Sequence, residues 1–304
     1  MRGSSGTEAR GADPAGVALA LVGAMAFSGK AIIVKLAYRY GVDAVTVIMY
    51  RMLFALPIFL LMSWWAGRGQ PALTRRDWVG VIGLGVTGYY LASFLDFLGL
   101  QYVTASLERL ILYLNPTLVL LLGWFLYRKR FGRMQIAGMA LGYAGVIMVF
   151  GHEARLEGSN VALGALLVFL SAVSYAVYLV YSGHLVQRLG SLRLVGLATS
   201  VACLLCVGQF VLLRPVASAL EVAPPVIWLS LLNAVACTAV PVLLVMMAIE
   251  RVGASVTAQT GMVGPVSTIL MGVLLLGEPF TAWVAAGTVL VIAGIFVFTR
   301  GAVR

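Results

Sequence analysis

Polar side chains in the middle of long apolar runs are the residues of this chain with the clearest potential for binding chemistry. A tyrosine in such a position offers an apolar ring and one hydrogen-bonding hydroxyl, which suits the wall of a small-molecule pocket. The alternative is helix packing with satisfied hydroxyls. We predict that a binding set is formed by Ser28, Lys30, Tyr89, Tyr90, Tyr113, Asn115, Ser174, Tyr175, Tyr178, Thr238, Gln259 and Thr260.

Ionisable side chains inside apolar runs form a second group of candidates, because a charge is costly there without a function. Asp96 and Arg109 flank one short link, and we predict a charge pair between them. The pair could seal one side of the molecule, or bind the ammonium and carboxylate of a zwitterion. Lys30 could meet the carboxylate of a bound molecule or extend its amine into a cavity. Arg51 is predicted to be structural, holding carbonyls at a helix end.

Three prolines interrupt apolar runs and are predicted to act as hinges: Pro116, Pro241 and Pro265. Proline removes a backbone donor and leaves one carbonyl without its helical partner. In an apolar environment that carbonyl must find another donor or line a wet cavity. A static kink is the alternative for each.

Signatures of catalysis are missing from the sequence. His152 and His184 are far apart in the chain, and nothing resembles a phosphate-binding loop. Cys203 and Cys206 form a C-x-x-C inside an apolar run without a nearby histidine or acidic residue, so we interpret them as small buried helix residues. We therefore predict no enzyme activity, no cofactor and no metal site.

The apolar runs themselves predict an all-α integral membrane protein. Of 304 residues, 62% are hydrophobic and only 11% are charged, against about 25% charged in soluble domains. A helix needs about 20 apolar residues to cross a bilayer. Ten runs of that size are found near 16–38, 45–66, 78–98, 104–127, 133–151, 161–182, 194–213, 226–248, 254–276 and 281–299.

An internal repeat organises these ten runs. When the sequence is shifted by 149 positions, residues 101–150 align without a gap on residues 250–299, and Pro116 falls on Pro265. We therefore predict a polar tail at 1–15, a first five-helix repeat at 16–152 and a second at 153–304. Repeats with interrupted apolar helices indicate a membrane transporter with its binding site near mid-depth.

The charges of the links predict that the two repeats are inverted. Lys and Arg concentrate on the cytoplasmic side of membranes, and with a cytoplasmic N-terminus fourteen of them fall on that side against five on the other. Five spans per repeat turn the second copy upside down. The link Arg128–Arg133 is accordingly rich in bases, whereas the equivalent link Gly277–Thr281 has none. Both termini are predicted to be cytoplasmic.

Several motifs resemble the EamA-type repeat of the drug/metabolite transporter superfamily. They are Gly253-Ala254-Ser255, Pro265 and Leu275-Leu276-Gly277-Glu278-Pro279 in the second copy, and Tyr102–Ser106 with Asn115-Pro116 in the first. Lys35 and Arg51 match motif positions of the first and second spans. Within the superfamily the chain resembles the bacterial amino acid exporters of the YddG type. The resemblance implies two inverted five-helix repeats around a central cavity.

The expected function is export of small metabolites, amino acids including aromatic ones, by alternating access through a bacterial inner membrane. The expected partners are a small-molecule substrate and the lipid bilayer, not nucleic acid, and the chain could act as a monomer. A carrier of a drug, polyamine or nucleotide-sugar, or a non-transporting membrane protein, is the alternative. Asp96, Glu108 and Glu250 all lie near span ends. This favours movement down a gradient over proton coupling.

Overall fold

The structure, a computed structural model, describes residues 13–127, 132–157, 160–261 and 263–302. Residues 1–12 of the predicted tail and most of the basic link, Arg128–Phe131, lie outside these ranges. The described residues form helices and no strands, and nine of those helices are long and apolar enough to cross a membrane. A tenth, shorter apolar helix completes the expected set, so the ten-helix prediction is confirmed.

The ten helices follow one another with short links. Their bounds are α1 Pro14–Tyr38, α2 Ala44–Ala66, α3 Arg75–Gly99, α4 Ala105–Leu126, α5 Arg133–Glu157, α6 Asn160–Leu189, α7 Ser191–Leu213, α8 224–260, α9 Val263–Leu276 and α10 Ala282–Ala302. Helical structure continues through 249–253, where the sequence predicts a link. Val245 and Val252 pack along α1 at Gly23 and Gly16.

Side chains that accept backbone hydrogen bonds determine where the first helices begin. Asp13, Asp43 and Thr104 each accept a hydrogen bond from a backbone N–H in the first turn of α1, α2 and α4. Thr74 and Asp77 form a reciprocal capping box at the start of α3. Such caps satisfy donors that would otherwise have no helical partner.

Each repeat carries the same two irregularities at equivalent places. A π-helical segment occurs at Gly85–Leu91 in α3 and at Val235–Ala239 in α8, 149 positions apart to within a residue. The fourth span of each repeat is broken near its middle. α4 is broken between Leu112 and Asn115, and in the second repeat the end of α8 at Thr260 is followed by the start of α9 at Val263. π-Helical turns are frequent at functional sites, and both segments border the cavity described below.

Glycines join α5 to α10 in a reciprocal contact. Gly138 packs against Gly294, and Gly145 packs against Gly287. The 149-residue shift turns one pair into the other, as expected for a two-fold axis between the repeats. A Cβ at Gly138 would lie 2.6 Å from the carbonyl oxygen of Gly294, so only glycine permits this approach.

Candidate functional site

A cavity of about 730 Å³ lies between α1, α2, α3, α4, α6, α7 and α8. Most of the residues predicted to bind a small molecule have side chains that line it. These are Lys30, Tyr89, Tyr113, Asn115, Tyr175, Tyr178 and Thr238. The helices of both repeats therefore contribute to one shared chamber.

The charged end of this cavity is built around Lys30. Its Nζ lies 2.5 Å from Oδ2 of Asp96 on α3 and 3.5 Å from Oε1 of Glu108 on α4. Asp96 is 2% exposed and Glu108 is fully buried. We call these three residues the Lys30 cluster. Lys30 lies two-thirds of the way along α1. The carboxylates of Asp96 and Glu108 therefore lie deeper in the helix bundle than the positions of these residues near span ends predict.

The predicted pair between Asp96 and Arg109 is not formed, because Asp96 pairs with Lys30. Nη2 of Arg109 instead donates to the hydroxyl of Ser28 at 2.9 Å, and its guanidinium lies 5.6 Å from the ring centroid of Tyr113. Consecutive helical residues point about 100° apart. Glu108 therefore faces Lys30 while Arg109 turns toward Ser28.

Arg51 also lines the cavity, although the sequence predicts only a structural role for it. Its Nε donates to the hydroxyl of Thr238 at 3.1 Å, and its guanidinium lies 5.1 Å from the ring centroid of Phe97. The hydroxyl of Thr238, in the π-helical segment of α8, in turn donates to the carbonyl of Asn233 just before that segment. Arg51 thus connects α2 of the first repeat to α8 of the second. The sequence feature that could have indicated this role is the match of Arg51 to a motif position of the second span.

Three tyrosines form an aromatic wall at the other end of the cavity. The hydroxyls of Tyr89 and Tyr178 lie 3.2 Å apart with their rings at 70°, and Tyr175 stacks on Tyr178 at 5.4 Å. Gly88 leaves room for this arrangement, since a Cβ there would overlap the ring of Tyr178. The π-helical segment of α3 places Gly88 and Tyr89 at that contact.

Other predicted binding residues have different surroundings. Tyr90 stacks on Phe94, and the hydroxyl of Ser174 donates to the carbonyl of Thr87 at 2.7 Å. Thr260 donates to the carbonyl of Val256 within its own helix. Ser28 donates to the carbonyl of Gly264 at 3.0 Å beneath Arg109. The side chain of Gln259 lies outside the described part of the structure.

The predicted hinge prolines begin helical segments or follow π turns. Pro265 lies in the first turn of α9, where its missing N–H costs no helical bond. The carbonyl four residues earlier, Gly261, accepts the hydroxyl of Tyr113 at 2.6 Å. Pro116 lies in the first turn after the break in α4 and is exposed, and Pro241 lies two residues after the end of the π-helical segment of α8.

The end of the molecule nearest the charged groups is closed by contacts between the repeats. The carboxylate of Glu278, in the α9–α10 link, accepts from the N–H of Ala105 at 2.7 Å and from the hydroxyl of Ser106 at 3.0 Å. Lys35 lies 3.7 Å from Glu278, and Arg39 donates to the carbonyl of Leu276 at 2.5 Å. In the opposite direction, the cavity lining continues to Ser191 at the α6–α7 turn.

The division of the helices into two halves agrees with the comparison to known protein families. The profile of the EamA-like transporter family matches residues 14–151 and 162–300. The chain belongs to the EamA-like transporter family. The family match points to a membrane transporter rather than an enzyme.

Relatives of this EamA-like transporter are similar along most of their length. The Bacillus subtilis (strain 168) protein Uncharacterized transporter YcbK is 32% identical, over 87% of this chain and 86% of its own. Another protein of that strain, Uncharacterized transporter YetK, is 26% identical over 93% and 86%. A solved structure titled Crystal structure of protein has a TM-score of 0.61 at 21% identity, over 95% and 98% of the two chains. This last likeness concerns the fold alone.

Proposed function

We propose that this transporter exports amino acids, aromatic ones included, across the cytoplasmic membrane of a bacterium by alternating access. The observation that carries the proposal is one chamber with charged groups of both signs at one end and tyrosine rings at the other. An aromatic amino acid has the same division into a zwitterionic head and an apolar ring.

The size and lining of the chamber support a small solute. A volume of about 730 Å³ lies within the roughly 300–1,000 Å³ typical of ligand pockets. Phe27, Tyr89 and Tyr175 supply apolar surface, and aromatic pairs add about 0.5–1.5 kcal/mol beyond area burial. Such a wall would accept several side chains and favour aromatic ones.

The charged end supports recognition of a zwitterion. Arg109 has a buried Nε, and Arg51 a buried Nη1, without a hydrogen-bond acceptor among the described residues. Both guanidinium groups could donate to a carboxylate, which Arg binds with a planar fork. Asp96 provides the opposite charge for an ammonium group. Three cations, Lys30, Arg51 and Arg109, line this end of the chamber and disfavour a polyamine.

The direction of opening supports alternating access. The basic residues Arg68, Arg75, Arg188 and Arg193 lie at the end toward which the cavity lining continues, and the positive-inside rule makes that end cytoplasmic. Both termini would then be cytoplasmic, and this conformation would face inward. Export would proceed by opening of the Glu278 contacts after the solute enters from the cytoplasm.

The test is efflux of radiolabelled amino acids from proteoliposomes that contain the purified protein. We expect phenylalanine or tyrosine to leave faster than from protein-free liposomes. Tyr175→Ala should reduce affinity for aromatic amino acids by about tenfold, the effect of losing about 1.4 kcal/mol. Tyr181→Ala is the matched control, because Tyr181 lies on the same helix and is exposed. Failure of every amino acid to move would contradict the proposal.

A further inference from the structure

The Lys30 cluster places two buried carboxyl groups against one ammonium group. Within 4 Å, Lys30 is the ion-pair partner of both Asp96 and Glu108, and Glu108 is the more distant of the two. Both carboxyl groups are almost or entirely removed from solvent. Burying an ionised carboxylate costs several kcal/mol even after relaxation, and protonation of Glu108 removes that cost.

Hydrogen bonding also favours one proton on the cluster. Neither oxygen of Glu108, nor Oδ1 of Asp96, accepts a hydrogen bond from a donor in the described ranges. Buried polar atoms are nearly always hydrogen-bonded. The two carboxyl groups are neighbours, since Nζ of Lys30 lies 2.5 Å from one and 3.5 Å from the other. One proton on Glu108, directed at Asp96, would therefore give both groups a partner.

The other ionisable groups around the cluster do not replace that proton. Arg109 acts on Glu108 and Arg51 acts on Asp96 through space, but their hydrogen bonds go to Ser28 and Thr238.

Two neutral groups also face the cluster. Tyr38, which faces Asp96, donates its hydroxyl to the carbonyl of Phe97. Cys237 faces Lys30 from α8 as a buried thiol. Neither donates a hydrogen bond to a carboxylate of the cluster within the described residues.

We infer that the Lys30 cluster is a proton-binding site and that export is driven by exchange of one proton for one solute. Asp96 and Lys30 line the chamber, whereas Glu108 is fully buried, so the ammonium of a bound zwitterion would reach Asp96, the carboxylate toward which Glu108 directs the proton. On arrival it displaces the proton from Glu108 into the cavity, and the cluster binds solute or proton but not both. This coupling rests on the proposed function, whereas proton binding itself does not.

Proton binding is tested without any solute. Infrared difference spectra of the protein in lipid, taken between mildly alkaline and mildly acidic pH, should show the carbonyl band of a protonated carboxyl. Glu108→Gln should abolish the band, and Asp96→Asn should shift it if the first variant does not fold. Glu221→Gln, which changes an exposed carboxylate, should leave it unchanged. A band that neither cluster variant affects would overturn the proton site.

Coupling is tested with the amino acid that the wild-type protein carries. One-for-one exchange against a gradient of one pH unit sustains about a tenfold concentration ratio of solute. We expect that ratio in proteoliposomes with wild type and with Glu221→Gln, and a ratio of about one with Glu108→Gln. Transport that ignores the gradient would overturn the coupling and leave the proposed function standing. An infrared band without amino acid transport would contradict the proposed function and leave the proton site standing.

Discussion

Tyr113 of α4 donates its hydroxyl to the carbonyl of Gly261, immediately before α9, at 2.6 Å. The same carbonyl accepts the backbone N–H of Gly264 at 2.9 Å, so a side chain of the first repeat and a backbone donor of the second share one acceptor. The two interrupted helices are thereby joined where each is broken. This hydrogen bond would have to change if the repeats move against one another.

Tyr113→Phe removes this donor and keeps the ring. We expect a loss of about 0.5–1.5 kcal/mol in the free energy of unfolding, because one hydrogen bond is lost while the carbonyl of Gly261 keeps the backbone N–H of Gly264. Denaturant unfolding in detergent measures it. Tyr181→Phe, in an exposed position on α6, should change stability by less than about 0.5 kcal/mol. Equal effects of the two variants would mean that the hydrogen bond contributes little.

Gly138→Ala tests the close approach of α5 and α10. The added Cβ would lie 2.5 Å from the backbone nitrogen of Phe298 and 2.6 Å from the carbonyl oxygen of Gly294. Since backbone atoms cannot rotate away, the helices must separate, at a cost of about 1–3 kcal/mol. Gly151→Ala is the control on the same helix, because nothing lies within 4 Å of its Cβ position. Thermal unfolding of the two variants should differ clearly, and similar melting temperatures would count against the contact.

Inversion of the repeats can be tested at two equivalent links. Gln70 lies between α2 and α3, and Glu221 between α7 and α8, and both are exposed. With a membrane-impermeant maleimide on intact cells, Glu221→Cys should be labelled and Gln70→Cys only after permeabilisation. The native cysteines of the described ranges are buried, so the background should be low. Labelling of both sites from one side would disprove the inverted topology.

The pH dependence of stability should include a contribution from Asp43, in the α1–α2 link. Partial burial raises the pKa of Asp43, but hydrogen bonds from Thr46 and Arg214 outweigh it and hold the pKa below its ordinary value. A lowered folded pKa gives stability that is complete above the unfolded value of about 3.9 and is lost as pH falls through the folded value.

Asp43→Asn tests this contribution, because asparagine still caps a helix but does not titrate. Melting temperatures measured from neutral to acidic pH should fall less steeply for this variant than for wild type. Glu221→Gln should follow the wild-type curve. Parallel curves for all three proteins would show that the interaction of Asp43 with Arg214 does not stabilise the fold.

Composition and the repeat were sufficient to predict ten helices, because membrane spans require long apolar segments whatever their partners. The shared chamber also followed, since the repeat places polar residues such as Tyr113 and Thr238 at mid-span. Partner choice did not follow. Lys30 and Asp96 are 66 positions apart, and which of two neighbours, Glu108 or Arg109, faces Lys30 depends on the rotation of α4.

The same limit applies to neighbouring tyrosines. Tyr89 lines the chamber while Tyr90 stacks on Phe94, and they differ by one residue in a π-helical segment. The hydropathy of this region is the same whether that segment is α or π. An extra residue in a turn rotates every side chain that follows it, and only the packed structure shows by how much.

The scaffold is symmetric, but its charges are not. Lys30, Arg51, Asp96, Glu108 and Arg109 all belong to the first five helices. In a perfectly duplicated protein, exchanging the conformations of the two halves would turn one open state into the other at no cost. Here that exchange carries five ionisable groups into different surroundings. Without solute, one open state must therefore be more stable than the other. Binding of a solute has to supply this free-energy difference before the protein can change to the less stable state.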